Sequence, residues 1–133
     1  MQTFKTFLNE EMNNKRFSDI ITQFIPHCRK RLKIKNLPEI KFITDTTFSS
    51  RRGTFGMYDD KLKLIVVTVK NRQVMDILRT LAHELSHYSF HTRKLTNITY
   101  NREVNENEAT KLAGLIMRDF ECTHPKLFNI KSF

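Results

Sequence analysis

Residues 80–91 read TLAHELSHYSFH, and within them His83-Glu84-Leu85-Ser86-His87 is a His-Glu-x-x-His pattern. On a helix, a four-residue step separates two side chains by about 6 Å and leaves them nearly on one face. Two imidazoles so placed can meet one ion. Zinc takes about four ligands, and a catalytic site keeps one of them for a water whose pKa falls to roughly 7. Glu84, next to the first histidine, can reach that water without coordinating the metal and so serve as general base. His83, Glu84 and His87 are therefore the candidate catalytic core, with Zn2+ as the expected cofactor.

A third ligand is needed. His91 continues the four-residue series, but three histidines on a straight helix span about 12 Å, too far for one ion. A histidine six residues after His87 is absent, because Arg93 stands there. Carboxylates beyond the motif are better placed, and Glu103, Glu106 and Glu108 in the segment 103–114 all qualify. Tyr88, His91, Arg93 and Tyr100 are candidates for stabilising a developing oxyanion. His27, Cys28, Cys122 and His124 lack the spacing of a second metal site, and both histidines read as surface or partly buried residues.

These residues need elements to hold them. Val74, Leu78, Leu81, Leu85 and Tyr88 recur at helical spacing, so a helix capped by Asn71 is expected to run to about Phe90. The histidines lie about 200° around it from Leu81 and Leu85, facing away from that stripe. A helix spanning about 103–120, with the small residues Ala109, Ala113 and Gly114, could cover them. Before the motif, 39–44, 53–58 and 62–69 read as strands, the last two as a hairpin through an Asp59-Asp60 turn. The third strand is apolar on both faces near its centre and should be interior to the sheet. A helix capped by Ser18 should run to about Leu32 and kink or split at Pro26. Phe4, Phe7, Leu8 and Met12 suggest a further helix over 1–12. The expected architecture is α+β, in one domain over 1–133, with the helices flanking a three-stranded sheet.

Composition narrows the classes. The 133 residues include eleven Phe and are 39% hydrophobic, enough to build a core without disulfides. Cys28 and Cys122 are unclustered, which fits reduced thiols in a cytoplasmic setting. No secretory leader is evident, and the apolar run 64–67 is far too short for a membrane span. The net charge of +9 is concentrated at 29–35 (RKRLKIK) and Arg51-Arg52. It suits anionic partners, so weak nucleic-acid binding through 29–35 is an alternative expectation, beside a plain solvated face. No zinc-finger, RRM or P-loop pattern accompanies it.

TLAHELSH followed by ENEATKLAG resembles the gluzincin metallopeptidases, and looks closest to the small IrrE/ImmA-type members of bacteria and phages. The similarity covers about 53–117. It implies a minimal zincin-like domain in which a hairpin precedes the motif helix and a Glu-Ala pair on the next helix supplies the third ligand. By that resemblance His83, His87 and Glu108 are the metal ligands and Glu84 the general base of a zinc metalloendopeptidase acting on a protein or peptide. Ser86 replaces the usual Gly of the motif, LIMR replaces a common LLMP ending, and no helix-turn-helix domain is expected within these residues. SprT-like proteases are less similar, since no histidine lies between His91 and His124. MQTFKTFLNE resembles the capsid-targeting segments of T-even-like phage internal proteins, with Leu8-Asn9-Glu10 as the processing site. The expected location is the cytoplasm, of the host cell for a phage protein, or the virion interior. The alternative function is a nucleic-acid-associated, virion or host-takeover protein whose zinc site is structural or binds a target without cleaving it. The plain alternative for 1–12 is a docking helix.

Overall fold

The computed structural model describes residues 15–44, 55–70, 72–92 and 102–128. The expected helix over 1–12, the Asn71 cap, Arg51-Arg52, Arg93 and Tyr100 lie outside the described residues. The chain forms α1 (Lys15–Leu32), β1 (Glu39–Ile43), β2 (Gly56–Asp59), β3 (Leu64–Thr68), α2 (Val74–Thr92) and α3 (Arg102–Thr123), then a 3-10 turn (Pro125–Phe128). This is an α+β arrangement. Among the described residues, no helix is long and apolar enough to cross a membrane.

The sheet order is β1-β3-β2, so the most β-branched strand is central, as its two apolar faces require. β3 runs parallel to β1, pairing Ile40 with Ile65, and antiparallel to β2, pairing Tyr58 with Ile65 from the other side. The hairpin turn is closed by Asp59, whose Oδ1 accepts from the Lys61 and Leu62 amides, while Lys63 takes a left-handed φ of 51°. Alternation splits β3 between two clusters. Ile65 and Val67 join the helices in the main core, and Leu64 and Val66 pack with Ile43 and Met57 on the opposite face.

All three helices contribute to the main core. Val74, Leu78, Leu81, Leu85 and Tyr88 are buried as their spacing demands, and Phe17, Phe24 and Phe120 are fully enclosed. Phe17 meets Phe42 edge-on at 6.1 Å, and Phe24 meets Phe120 at 5.0 Å. Each such side chain contributes on the order of 1.5–3 kcal/mol by leaving water. Tyr88 OH donates to the Asn36 carbonyl at 2.6 Å and Ser89 Oγ to that of Leu32 at 3.1 Å. These two bonds fasten α2 to the segment that leaves α1.

Neither the expected Ser18 cap nor a split at Pro26 is found in α1. The helix starts at Lys15, so Ser18 lies within it and is not its cap, and it continues through Pro26 without a break. Pro26 is exposed, so the Thr22 carbonyl that loses its amide partner lies on the side open to water. The buried Phe24, Ile25 and Cys28 hold the helix on both sides of it. α1 ends with Lys33 at φ 56° and the Ile34 amide bonded back to the Arg29 carbonyl, a Schellman closure. The Arg29 guanidinium donates to the carbonyls of Ile34 and Lys35, and Arg31 pairs with Asp119 of α3 at 3.1 Å. Two charges of the basic segment thus have structural tasks.

Candidate metal centre

α2 and α3 pack side by side through small residues. Ala109 and Ala113 are buried at the contact, but Gly114 is exposed and has open space where a Cβ would stand, so it plays no part in the approach. α2 presents His83 and His87 one turn apart, their ring centroids 4.9 Å from each other. α3 answers with Glu106. Its Oε1 lies 2.6 Å from His87 Nε2 and its Oε2 lies 3.1 Å from His83 Nε2. One donor atom from each of the three residues falls within 4.8 Å of the others, and no other such group of His, Cys, Asp or Glu occurs among the described residues.

Glu108 is exposed and takes no part in this group. The carboxylate in place is the one two residues earlier. At 100° per residue, Glu106 stands about 20° from Ala113 around α3, whereas Glu108 stands about 140° away. Ala113 marks the side that meets α2, so phase selects Glu106. The Glu-Ala pair in the sequence pointed to Glu108, and helical phase alone left the choice open because it does not say which face of α3 meets α2. Glu103 has its backbone in α3, and its side chain lies outside the described residues.

Two imidazoles and a carboxylate are a donor set that could hold a metal ion. Both histidine side chains keep about a fifth of their surface exposed and Glu106 about half, so the group is reachable from solvent.

Glu84 stands beside the ligands in a different environment. Burial, and secondarily the Glu106 charge, push its carboxyl up to about 7. One wall of its niche is backbone: a Cβ on Gly56 of β2 would sit 3.2 Å from Glu84 Cγ and 2.5 Å from Thr80 Cγ2. Gly56 is needed for strand and helix to approach this closely. Thr80 is fixed in turn by Arg72, whose Nη2 donates to Thr80 Oγ1 at 2.7 Å while its guanidinium also bonds the Thr68 and Asp76 carbonyls. Arg72 lies 4.3 Å over the ring of the exposed Phe55.

Two of the oxyanion candidates are committed elsewhere. Tyr88 is buried, with its hydroxyl spent on Asn36. His91 faces the hairpin, its Nδ1 3.2 Å from both Tyr58 OH and Lys63 Nζ, with Asp60 on its other nitrogen at 3.8 Å. Burial raises the Tyr58 phenol to about 12, so it remains protonated in that contact. Ser86, in place of a motif glycine, is fully buried and satisfied by donating to the Ala82 carbonyl at 2.8 Å. His27 and His124 face each other at 6.2 Å around Phe120, with Cys28 buried in the core and Cys122 exposed. No protein-family model matches the chain, and neither a curated protein nor a solved structure shows significant similarity to it.

Proposed function

We propose that the protein is a zinc-dependent peptidase in which His83, His87 and Glu106 hold the metal and Glu84 is the general base. The observation that carries this reading is the convergence of those three donor atoms from two helices, with the partly buried, raised-pKa carboxyl of Glu84 next to His83 in the chain and within reach of the Glu106 charge. The reaction type comes from the gluzincin resemblance of residues 53–117, and the ligand assignment comes from the geometry. When bound, the ion supplies Lewis acidity, lowering the pKa of a water and polarising the substrate carbonyl. Glu84 as carboxylate accepts a proton from the attacking water and delivers it to the amine as the C–N bond breaks. A divalent ion at the ligands favours the carboxylate form of Glu84, which readies it for the first of these steps.

A nucleic-acid role for 29–35 is less favoured, because Arg29 closes the end of α1 and Arg31 pairs with Asp119. The deciding experiment measures zinc dissociation constants and peptide cleavage for three variants. Glu106→Ala removes a ligand and weakens zinc by at least about 10-fold, while Glu108→Ala leaves it unchanged. Glu84→Gln keeps zinc bound while cleavage falls by about 100-fold or more. A wild-type protein that binds no zinc at neutral pH, or a loss of affinity at Glu108 and not Glu106, refutes the assignment.

A further inference from the structure

His83 has a second polar neighbour. Its Nε2 faces Glu106, and its Nδ1 lies 3.5 Å from Oγ1 of Thr110. Glu106 and Thr110 are one turn apart on α3, so His83 is held between two groups on one face of that helix. The two ring nitrogens of a neutral imidazole cannot both carry a proton. In the tautomer with its proton on Nε2, the ring can donate to the Glu106 carboxylate and leaves Nδ1 as an acceptor. A metal held at Nε2 would take that lone pair and require the proton to be on Nδ1, which would then need an acceptor.

A carboxylate or carbonyl at the Thr110 position could serve only the second state, because neither has a proton to give. A hydroxyl serves both, donating to Nδ1 in one and accepting from it in the other. We infer that Thr110 is a two-way positioning residue, which keeps His83 hydrogen-bonded in both tautomers and so lets the ring exchange Glu106 for metal without leaving Nδ1 unsatisfied. This rests on the metal reading of His83, His87 and Glu106. Partners of metal-bound histidines commonly alter metal affinity by about 10–100-fold when removed. The long, exposed contact here places Thr110 at the lower end of that range.

The test pairs titration with zinc alone and 15N NMR of the imidazole nitrogens. Thr110→Val keeps the side-chain shape and removes both functions of the hydroxyl, so zinc binding weakens by about 10-fold. Thr110→Ser retains the hydroxyl and restores affinity to within about 3-fold of wild type. In the wild type the neutral His83 carries its proton on Nε2 without zinc and on Nδ1 with it. Equal zinc affinity in wild type and Thr110→Val, or a proton on Nδ1 in both states, overturns the role of Thr110 while leaving the metal site in place. Absence of zinc binding by the wild type overturns the metal reading, and this inference with it.

Discussion

Substituting Gly56 by alanine tests whether the approach of β2 to α2 is as tight as the site requires. The new methyl would lie 2.5 Å from Thr80 Cγ2 and 3.2 Å from Glu84 Cγ, where carbon atoms normally stay about 3.5–4.0 Å apart. Relief at Glu84 is inexpensive, since only a few tenths of an ångström are needed. Relief at Thr80 is not, because rotating its side chain breaks the 2.7 Å bond from Arg72. A hydrogen bond to a charged group is worth about 1.5–3 kcal/mol, and an extra methylene forced into a packed interior costs about 1–3 kcal/mol. Against this, alanine reduces unfolded-chain entropy and gains about 0.4–1 kcal/mol. The two costs less that gain give an expected net loss of about 2–5 kcal/mol, read as a lower urea midpoint at unchanged m.

Thr80→Ser removes Cγ2 and keeps the oxygen that Arg72 holds. The double variant should therefore recover most of the loss, with a coupling energy of about 1 kcal/mol or more between the two positions. Zinc affinity should be unaffected throughout, since neither residue is a ligand, while cleavage should fall in Gly56→Ala because Glu84 is displaced. A midpoint for Gly56→Ala equal to wild type, or additivity of the two substitutions within about 0.3–0.5 kcal/mol, refutes the contact as the cause.

Cys122 is exposed while Cys28 is buried with its thiol pushed far above the ordinary range. An aromatic disulfide reagent should titrate one thiol rapidly in the native protein and the second only on unfolding, and two rapid thiols would contradict the core packing. His27 titrates below the ordinary 6.5, first because it is buried and then because His124 faces it, with Asp119 opposing and Arg31 adding a small effect in the same direction as burial. The unfolded chain therefore takes up that proton first, and stability falls as the pH drops below 6.5. His27→Gln should flatten the pH dependence of the unfolding free energy in that window, and an unchanged slope would contradict the assignment.

The sequence carried the elements well where periodicity was unambiguous. The stripe from Val74 to Tyr88 and the doubly apolar 64–67 segment each allow one arrangement, and both are found buried as read. Pro26 does not split α1, since it is exposed and water can reach the carbonyl it frees. The His83–His87 pair was legible from a single helical step. The carboxylate was not legible in the same way, because it depends on the rotation of α3 against α2, set by Ala109 and Ala113 from outside the motif. Tyr88 and His91 could not be sorted from sequence, since their partners Asn36 and Tyr58 lie 52 and 33 residues away.

The same contacts that identify the site also bound its behaviour. Without metal, Glu106 bridges both histidines and ties α2 to α3, so the ligands are held near their final positions and little ordering entropy remains to be lost on binding. On the proposed metal reading, an ion would have to displace those contacts before bonding the same atoms, which would make Glu106 a competitor as well as a ligand. Shortening it separates the two effects. Glu106→Asp should lose the bridge to at least one histidine and loosen the two helices. It should also withdraw the carboxylate from the shared point, so zinc affinity falls even though the charge is kept. Retained affinity in that variant would mean that the ion is held by the histidines alone, with Glu106 serving only to join the helices.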